Sequence, residues 1–262
     1  MAYLSLSNND LNVLQKIKDP ESDPTAGISV HTDLPRDPHI TDTDLYNAVV
    51  AKERDVLIEF QKLEMQLANL QPKTVADPVA SYRDGISRLD TLIQDHPNYA
   101  SARNNRAQAL RRLYGDGVLA GGDSEQVLIS NPTLEETTDA AKTILDDLDE
   151  AVRLLSPATP RSPLSPQAAR TLSMSYTQRA AVYHATAKKF SETALSVPKE
   201  RRESGWVKID FEEAAAADFA MGGRYGNEVA KGLAVSSNPT AKLCGQMVRE
   251  AMKKEYGPAY AS

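Results

Sequence analysis

A chain of 262 residues with 41% hydrophobic content can bury the core of one elongated domain or two small ones. The net charge of −6 argues against nonspecific binding to nucleic acid or anionic lipid, and no apolar run approaches the ~18 residues of a membrane-spanning helix. One cysteine excludes an internal disulfide framework and the first residues lack a secretory signal, so we expect a cytoplasmic location, with the nucleus as the alternative.

Residues 1–41 are predicted to form a flexible N-terminal arm, because prolines recur through them. One short helix is expected near residues 10–18, where Leu11, Leu14 and Ile17 would form an apolar docking edge. A helix of this length is not stable alone, so it needs a surface to pack against. We therefore predict that the edge docks on the body of the protein or binds an outside protein.

From residue 42 onward the apolar residues recur with a helical period, and no strand-like alternation appears, so the fold class is predicted to be all-α. Helices are expected over residues 45–70, 78–96, 98–114, 133–155 and 166–190, and from 210 to 221, near 228 and from 239 to 256.

Several helix ends carry recognisable signals. Thr133 and Glu136 form a capping box, and Ser165 with Pro166 is an N-cap followed by a proline at the first helical position. A second capping box is predicted from Asp210 to Glu213, and the pair Gly222 and Gly223 is expected to end that helix. The acidic residues 146–150 are predicted to lie on a solvated helix face, with contact to a basic partner as the less favoured alternative. Cys244, on an apolar stripe of the last helix, is predicted to lie in the core.

The helix over residues 98–114 has alanines on two ridges, which allow neighbouring helices to approach closely. Its polar residues fall within one narrow arc, which we expect to face a groove. These are Ser101, Asn105, Gln108 and Arg112.

Residues 89–116 resemble the tetratricopeptide repeat, a helical hairpin of about 34 residues with small residues at the helix crossings. The resemblance implies three degenerate hairpins stacked as a short solenoid over residues 42–234, interrupted by loops at 117–132 and 156–165. Asn105-Arg106-Ala107 and Gln178-Arg179-Ala180 would occupy equivalent places in two of the hairpins. Residues 235–262 would add a C-terminal capping helix.

The segments "NDLNVLQKI", "ASARNNRAQALR" and "NPTAKLC" are similar, in sequence and order, to the tetratricopeptide repeat protein 36 family. That resemblance implies a small intracellular repeat protein that binds the 70-kDa heat-shock chaperone. It also implies a link to tyrosine metabolism through protection of a metabolic enzyme client.

Repeat domains that hold the acidic tail of a chaperone resemble one another in a carboxylate clamp of lysine, arginine and asparagine side chains. Carried over to this sequence, the resemblance places Asn105 at the second-repeat asparagine, with Lys62 and Gln66 in the first repeat. Met174 and Gln178 occupy the places of the two third-repeat cations. We therefore expect an acidic tail to be held poorly, and a chaperone, if bound, to use another surface. The apolar ridge that contains Met174 is also one candidate docking surface, for the N-terminal helix or for a helix of a partner.

Two functions follow from this sequence. The favoured one is a non-enzymatic adaptor or scaffold whose concave groove binds a protein or peptide, without catalytic residues, cofactor or metal. The four histidines are scattered and show no metal-ligand spacing. The alternative is a small-molecule-binding or catalytic helical protein that uses Lys62, Asn105, Arg112 and Gln178 in a closed pocket. An open groove would favour the adaptor.

Overall fold

The computed structural model describes residues 28–75, 77–121, 127–159, 162–190 and 195–256. Within these ranges the chain forms eight α-helices, which we number in chain order. They are α1 (Thr43–Leu67), α2 (Pro78–Asp95), α3 (Ala100–Tyr114), α4 (Leu134–Leu155), α5 (Pro166–Lys189), α6 (Lys208–Arg224), α7 (Glu228–Ser237) and α8 (Pro239–Tyr256). Short 3-10 helices lie at Val118–Ala120 and Arg202–Gly205.

The predicted all-α fold class is confirmed. Helices α1 and α2, α3 and α4, and α5 and α6 form three hairpins, and each hairpin packs on the next, as in a tetratricopeptide-repeat solenoid. The first helices of neighbouring hairpins, α3 and α5, also touch each other. Alanines make this close packing possible: Ala107 of α3 and Ala180 of α5 are fully buried in one continuous core.

Two of the predicted helix starts are confirmed by hydrogen bonds. The Thr133 hydroxyl accepts from the Glu136 backbone N–H at 3.1 Å, and the Glu136 carboxylate accepts from the Thr133 N–H at 2.9 Å. The Ser165 hydroxyl accepts from the Ala168 N–H at 3.2 Å. Each contact satisfies a backbone donor that the first turn of a helix leaves without a partner.

The predicted ends of α6 are wrong. The helix begins at Lys208, and Asp210 acts from inside its first turn by accepting the Val207 N–H at 2.8 Å. It also continues through Gly222 and Gly223 to Arg224. The two glycines permit close packing instead: a Cβ at position 223 would lie 2.8 Å from the Lys231 Cα in α7.

Two arginines show the internal repeat in three dimensions. Arg106 of α3 binds Asp147 of its own hairpin at 2.7 Å and Asp90 of the preceding hairpin at 2.6 Å. Arg179 of α5 likewise binds Asp218 of its own hairpin at 2.7 Å and Asp149 of the preceding one at 2.6 Å.

Each of these arginines therefore joins three helices, and the equivalence predicted for the two Arg-Ala motifs is seen in their contacts. The prediction that the acidic residues between 146 and 150 lie on a solvated face is wrong for Asp147, whose carboxylate is buried against Arg103 and Arg106. A helical-wheel projection of α4 shows which residues share a face, but it does not show which neighbouring helix covers that face.

The chain before α1 packs on the body of the protein. Val30 forms an isolated parallel bridge with Leu164, and the Ser165 hydroxyl donates to the Arg36 carbonyl at 2.9 Å. His39 Nε2 lies 3.0 Å from the Leu154 carbonyl oxygen. Residues 28–40 thus differ from the flexible arm predicted for residues 1–41. The predicted docking edge of Leu11, Leu14 and Ile17 lies outside the described residues.

Among the described residues, helix α8 packs mainly on α6 and α7. The prediction that Cys244 lies in the core is wrong, because the residue is exposed. Its apolar neighbours Leu243, Met247 and Val248 are more than half exposed as well, at 56%, 61% and 57%. The apolar stripe predicted on this helix is present, but the described residues leave it exposed to solvent. Within the described ranges, no helix combines the length and the apolar character needed to cross a bilayer.

Candidate functional site

The first helices of the three hairpins, α1, α3 and α5, line a concave groove. Its larger depression, which we call the large hollow, has a volume of about 1070 Å³ and is half open to solvent. A second depression, the small hollow, has a volume of about 270 Å³ and lies beside the N-terminal segment. Leu57 and Asn105 line both, so they separate the two.

The large hollow has an apolar floor and a polar rim. Phe60 of α1 stacks on Tyr82 of α2 with ring centroids 4.6 Å apart, and Ala109 and Ala185 continue the apolar surface. Gln61, Gln108 and Lys189 are exposed around it. Among the described residues these three side chains have no hydrogen-bond or ion-pair partner. They are therefore available to a partner molecule without breaking an internal contact.

The arginines of the large hollow are neutralised by neighbouring acids. Arg112 Nε donates to Glu64 Oε1 at 2.7 Å, and the Tyr82 hydroxyl donates to the same oxygen at 2.6 Å. Burial, together with the Glu64 carboxylate, raises the pKa of Tyr82. Arg111 Nε donates to Asp116 Oδ1 at 2.8 Å. These pairs fix the walls of the hollow and leave little net positive charge to attract an acidic ligand.

The small hollow is built around a buried carboxylate. Glu53 of α1 accepts from the Tyr99 hydroxyl at 2.6 Å and from Asn105 Nδ2 at 2.7 Å, and only 5% of the residue is exposed. Burial raises the pKa of Glu53, although these hydrogen bonds favour the ionised form. Asp37 lines the same hollow and is 5% exposed, and burial raises its pKa as well.

The sequence brings some of the predicted groove residues together. Asn105, Gln108 and Arg112 line the large hollow. Ser101 and Met174 line the small hollow, which Asn105 also borders. In both hollows these residues come from the first helices of the hairpins.

Other predicted residues lie elsewhere. Lys62 is exposed and lines neither hollow. Gln66 Oε1 accepts from the Thr74 N–H at 2.9 Å and so stabilises the turn after α1. Gln178 is buried, where its Nε2 donates to Asn104 Oδ1 at 2.8 Å.

The large hollow is therefore not the closed pocket of Lys62, Asn105, Arg112 and Gln178 that would favour the small-molecule alternative. The residues assigned to the first and third positions of a carboxylate clamp do not converge either. No group of three or more His, Cys, Asp or Glu side chains in the described part of the chain is arranged to hold a metal ion.

Sequence reasoning missed Glu53 as a site residue. It stands four residues after Val49 and three before Val56, in the middle of the buried stripe of α1. A charged residue at that spacing must be buried with the stripe, and a buried carboxylate requires polar partners. A charged residue within an apolar stripe was therefore the feature of the sequence that could have identified Glu53.

The chain is 34% identical over 258 residues to the L-tyrosine degradation gene cluster protein hmgX of Aspergillus fumigatus, a match that covers 96% of this chain and 93% of that protein. It is 25% identical over 250 residues to the tetratricopeptide repeat protein 36 homolog of Drosophila melanogaster, covering 95% and 96%. The homolog of Drosophila pseudoobscura is 26% identical over 252 residues, covering 95% of each chain. None of these relatives is named as an enzyme. No family model and no solved structure matches the chain.

Proposed function

Because this chain belongs to the family that contains the hmgX protein and the tetratricopeptide repeat protein 36 homologues, we propose that it is a non-enzymatic adaptor whose concave groove binds a partner protein. The observation that carries the proposal is the large hollow, an open apolar floor of Phe60, Ala109 and Ala185 with unpaired polar side chains around it. Protein interfaces have this arrangement of an apolar centre within a polar rim.

The partner is a metabolic enzyme client that acts in the breakdown of tyrosine. The support for this step is the name of one relative, which refers to an L-tyrosine degradation gene cluster. The groove chemistry is compatible with a folded protein, because its arginines are paired and its floor is apolar. Adaptor binding of this kind requires no cofactor and no catalytic residue in this chain.

A 70-kDa heat-shock chaperone is the second partner implied by the family resemblance. We propose that it binds outside the large hollow, because the clamp positions do not converge on that surface. Lys62 is exposed to one side, Gln66 is held by Thr74 and Gln178 is buried against Asn104. An acidic tail laid in the large hollow would meet Glu64 and Asp116 as well as Arg111 and Arg112.

The test compares two lysine reversals. Lys189→Glu places a negative charge at the rim of the large hollow, whereas Lys52→Glu makes the same change at an exposed position of α1 that lines neither hollow. Tagged wild-type protein and both variants are used to capture partners from extracts of the source cells. Each captured enzyme of tyrosine breakdown is then purified and its affinity is measured by calorimetry.

We expect the wild-type protein and Lys52→Glu to retain such an enzyme and Lys189→Glu to bind it at least about tenfold more weakly, since one interfacial charge contact is reversed. If the purified enzyme binds all three proteins equally, the large hollow is not the binding surface. If the wild-type protein retains no enzyme of tyrosine breakdown, the proposed client is wrong.

A further inference from the structure

The small hollow has two buried carboxylates that form no ion pair among the described residues. Glu53 and Asp37 are each 95% buried, yet neither has an Arg, Lys or His within ion-pair distance among the described residues. Removing a carboxylate from water costs several kcal/mol unless a cation or hydrogen bonds replace the water.

The hydrogen bonds of the two carboxylates come from neutral donors. Glu53 accepts from the Tyr99 hydroxyl, from Asn105 and from Ser101. Asp37 Oδ1 accepts from the backbone N–H groups of His39 and Ile40 at 2.8 and 3.2 Å. These contacts hold the carboxylates in place but add no positive charge. A ligand cation in the hollow would add a charge-assisted contact that these neutral donors do not provide.

Positive charge is present at the rim of the same hollow. Arg170 of α5 is exposed and, within the described ranges, has no hydrogen-bond or ion-pair partner. Arg36 lies over the Tyr46 ring at 5.8 Å and donates to Asn47 at 3.5 Å, the limit of a hydrogen bond. The hollow thus has carboxylates in its wall and arginines at its rim, and Arg170 among these is exposed.

Apolar side chains form the rest of the wall. Val50 and Leu57 of α1 and Met174 of α5 line the hollow beside the charged groups. Its volume of about 270 Å³ is just below the range of about 300–1,000 Å³ typical of drug-sized ligands. A small metabolite fits this space better than a length of folded polypeptide.

We propose that the small hollow binds a free α-amino acid, with its ammonium group on Glu53, its carboxylate on Arg170 and its side chain against the apolar wall. An amino acid carries both charges within a few bonds, so one ligand balances the acid in the wall and the arginine at the rim. This inference goes beyond the adaptor function and does not depend on it, because the large hollow is a separate surface. A peptide whose terminal ammonium lies near an acidic side chain has similar chemistry, and the experiment distinguishes the two sources.

The test is titration of the full chain with ligands that differ in one charged group. The set is L-leucine, L-tyrosine and L-glutamine, the amide of each amino acid, the N-acetyl form of each, and a tripeptide with a free N-terminus and an aspartate. Binding is followed by calorimetry and by the NMR signal of the Met174 methyl group, which lines the hollow.

We expect saturable binding of at least one free amino acid, and at least about tenfold weaker binding of its amide and of its N-acetyl form, because each lacks one charge. Arg170→Gln and Glu53→Gln are expected to weaken binding by at least a similar factor. Arg249→Gln, an exposed change on α8, is the matched control and should bind as the wild-type protein does. Arg170 is exposed, so its substitution keeps the test valid if the Glu53 variant does not fold.

Three results would overturn the proposal. One is the absence of saturable binding by every free amino acid of the set. The second is equal binding of the charged and the blocked forms, or wild-type affinity in Arg170→Gln. The third is binding of the tripeptide alone, which would assign the small hollow to a chain terminus of a protein partner.

Discussion

Replacing Asp147 by alanine removes the carboxylate that joins α4 to α3. Arg106 donates to this carboxylate through Nε and Nη2, both at 2.7 Å, and Arg103 Nη1 donates to it at 3.3 Å. The Asp147 side chain is 1% exposed and that of Arg106 is 17% exposed. Burial lowers the pKa of Arg106, but Asp147 and Asp90 outweigh it and raise the pKa, so the guanidinium stays charged.

Removing one partner of a buried ion pair typically costs about 3–5 kcal/mol, because the other charge is left without compensation. Two remaining contacts reduce that cost here. Arg106 keeps its bond to Asp90 at 2.6 Å, and Arg103 keeps its bond to the Pro97 carbonyl at 2.9 Å. We therefore expect Asp147→Ala to lower the free energy of unfolding by about 3 kcal/mol, the lower end of that range.

The measurement is equilibrium urea denaturation followed by circular dichroism. Asp139→Ala is the matched control, because Asp139 lies on the same helix and its exposed side chain has no partner among the described residues. We expect the control to change stability by no more than ~0.5 kcal/mol. The double variant Arg106→Leu, Asp147→Leu should recover most of the loss, since Arg106 is no longer left without Asp147, Arg103 keeps the Pro97 carbonyl and Asp90 is 41% exposed. A loss for Asp147→Ala as small as that of the control would refute the reasoning.

Three further predictions use other parts of the stack. Ala107→Arg should lower the melting temperature sharply, since the residue is fully buried at a helix crossing, and an unchanged melting temperature would contradict that packing. Burial favours the neutral form of Glu203, but hydrogen bonds from Arg201 and Tyr183 hold its pKa at about 2, below its unfolded value. The ionised Glu203 therefore adds about 3 kcal/mol to the free energy of unfolding above pH ~4.5, and this contribution is lost as the pH falls towards 2. Urea titrations of wild type and Glu203→Gln should show their stability difference shrinking over that pH range. Met247→Asp should leave the urea midpoint unchanged, because its side chain is exposed; a lower midpoint would mean that another surface covers it.

The helices and several of their ends were predictable, because the signals that set them are local in sequence. Thr133 and Ser165 act within their own first turns, so no knowledge of the neighbouring helices is needed. Gly222 and Gly223 illustrate the opposite case. Their local meaning is a helix stop, but the approach of α7 gives them a packing role that the sequence around them does not reveal.

The groove was predictable in outline and not in detail. The wheel of α3 places Asn105, Gln108 and Arg112 on one face, and these residues do line the large hollow. The helical wheel does not show which residue each side chain contacts. The Asn105 amide donates a hydrogen bond to Glu53, which is 52 positions away in sequence. The Gln178 amide donates to Asn104 in the neighbouring hairpin. Contacts of this range depend on how the hairpins stack.

Arg106 and Arg179, each of which joins three helices, affect how this chain tolerates insertions and deletions. Arg106 and Arg179 each bind one carboxylate of their own hairpin and one of the hairpin before it. These charged side chains therefore help to set the spacing between successive second helices. The four carboxylates lie on helices, so a change in loop length that spares the buried Val118, Leu119 and Leu164 leaves each of them at its place on a helix. Insertions in the exposed parts of these loops are therefore expected to leave the orientation of one hairpin against the next unchanged.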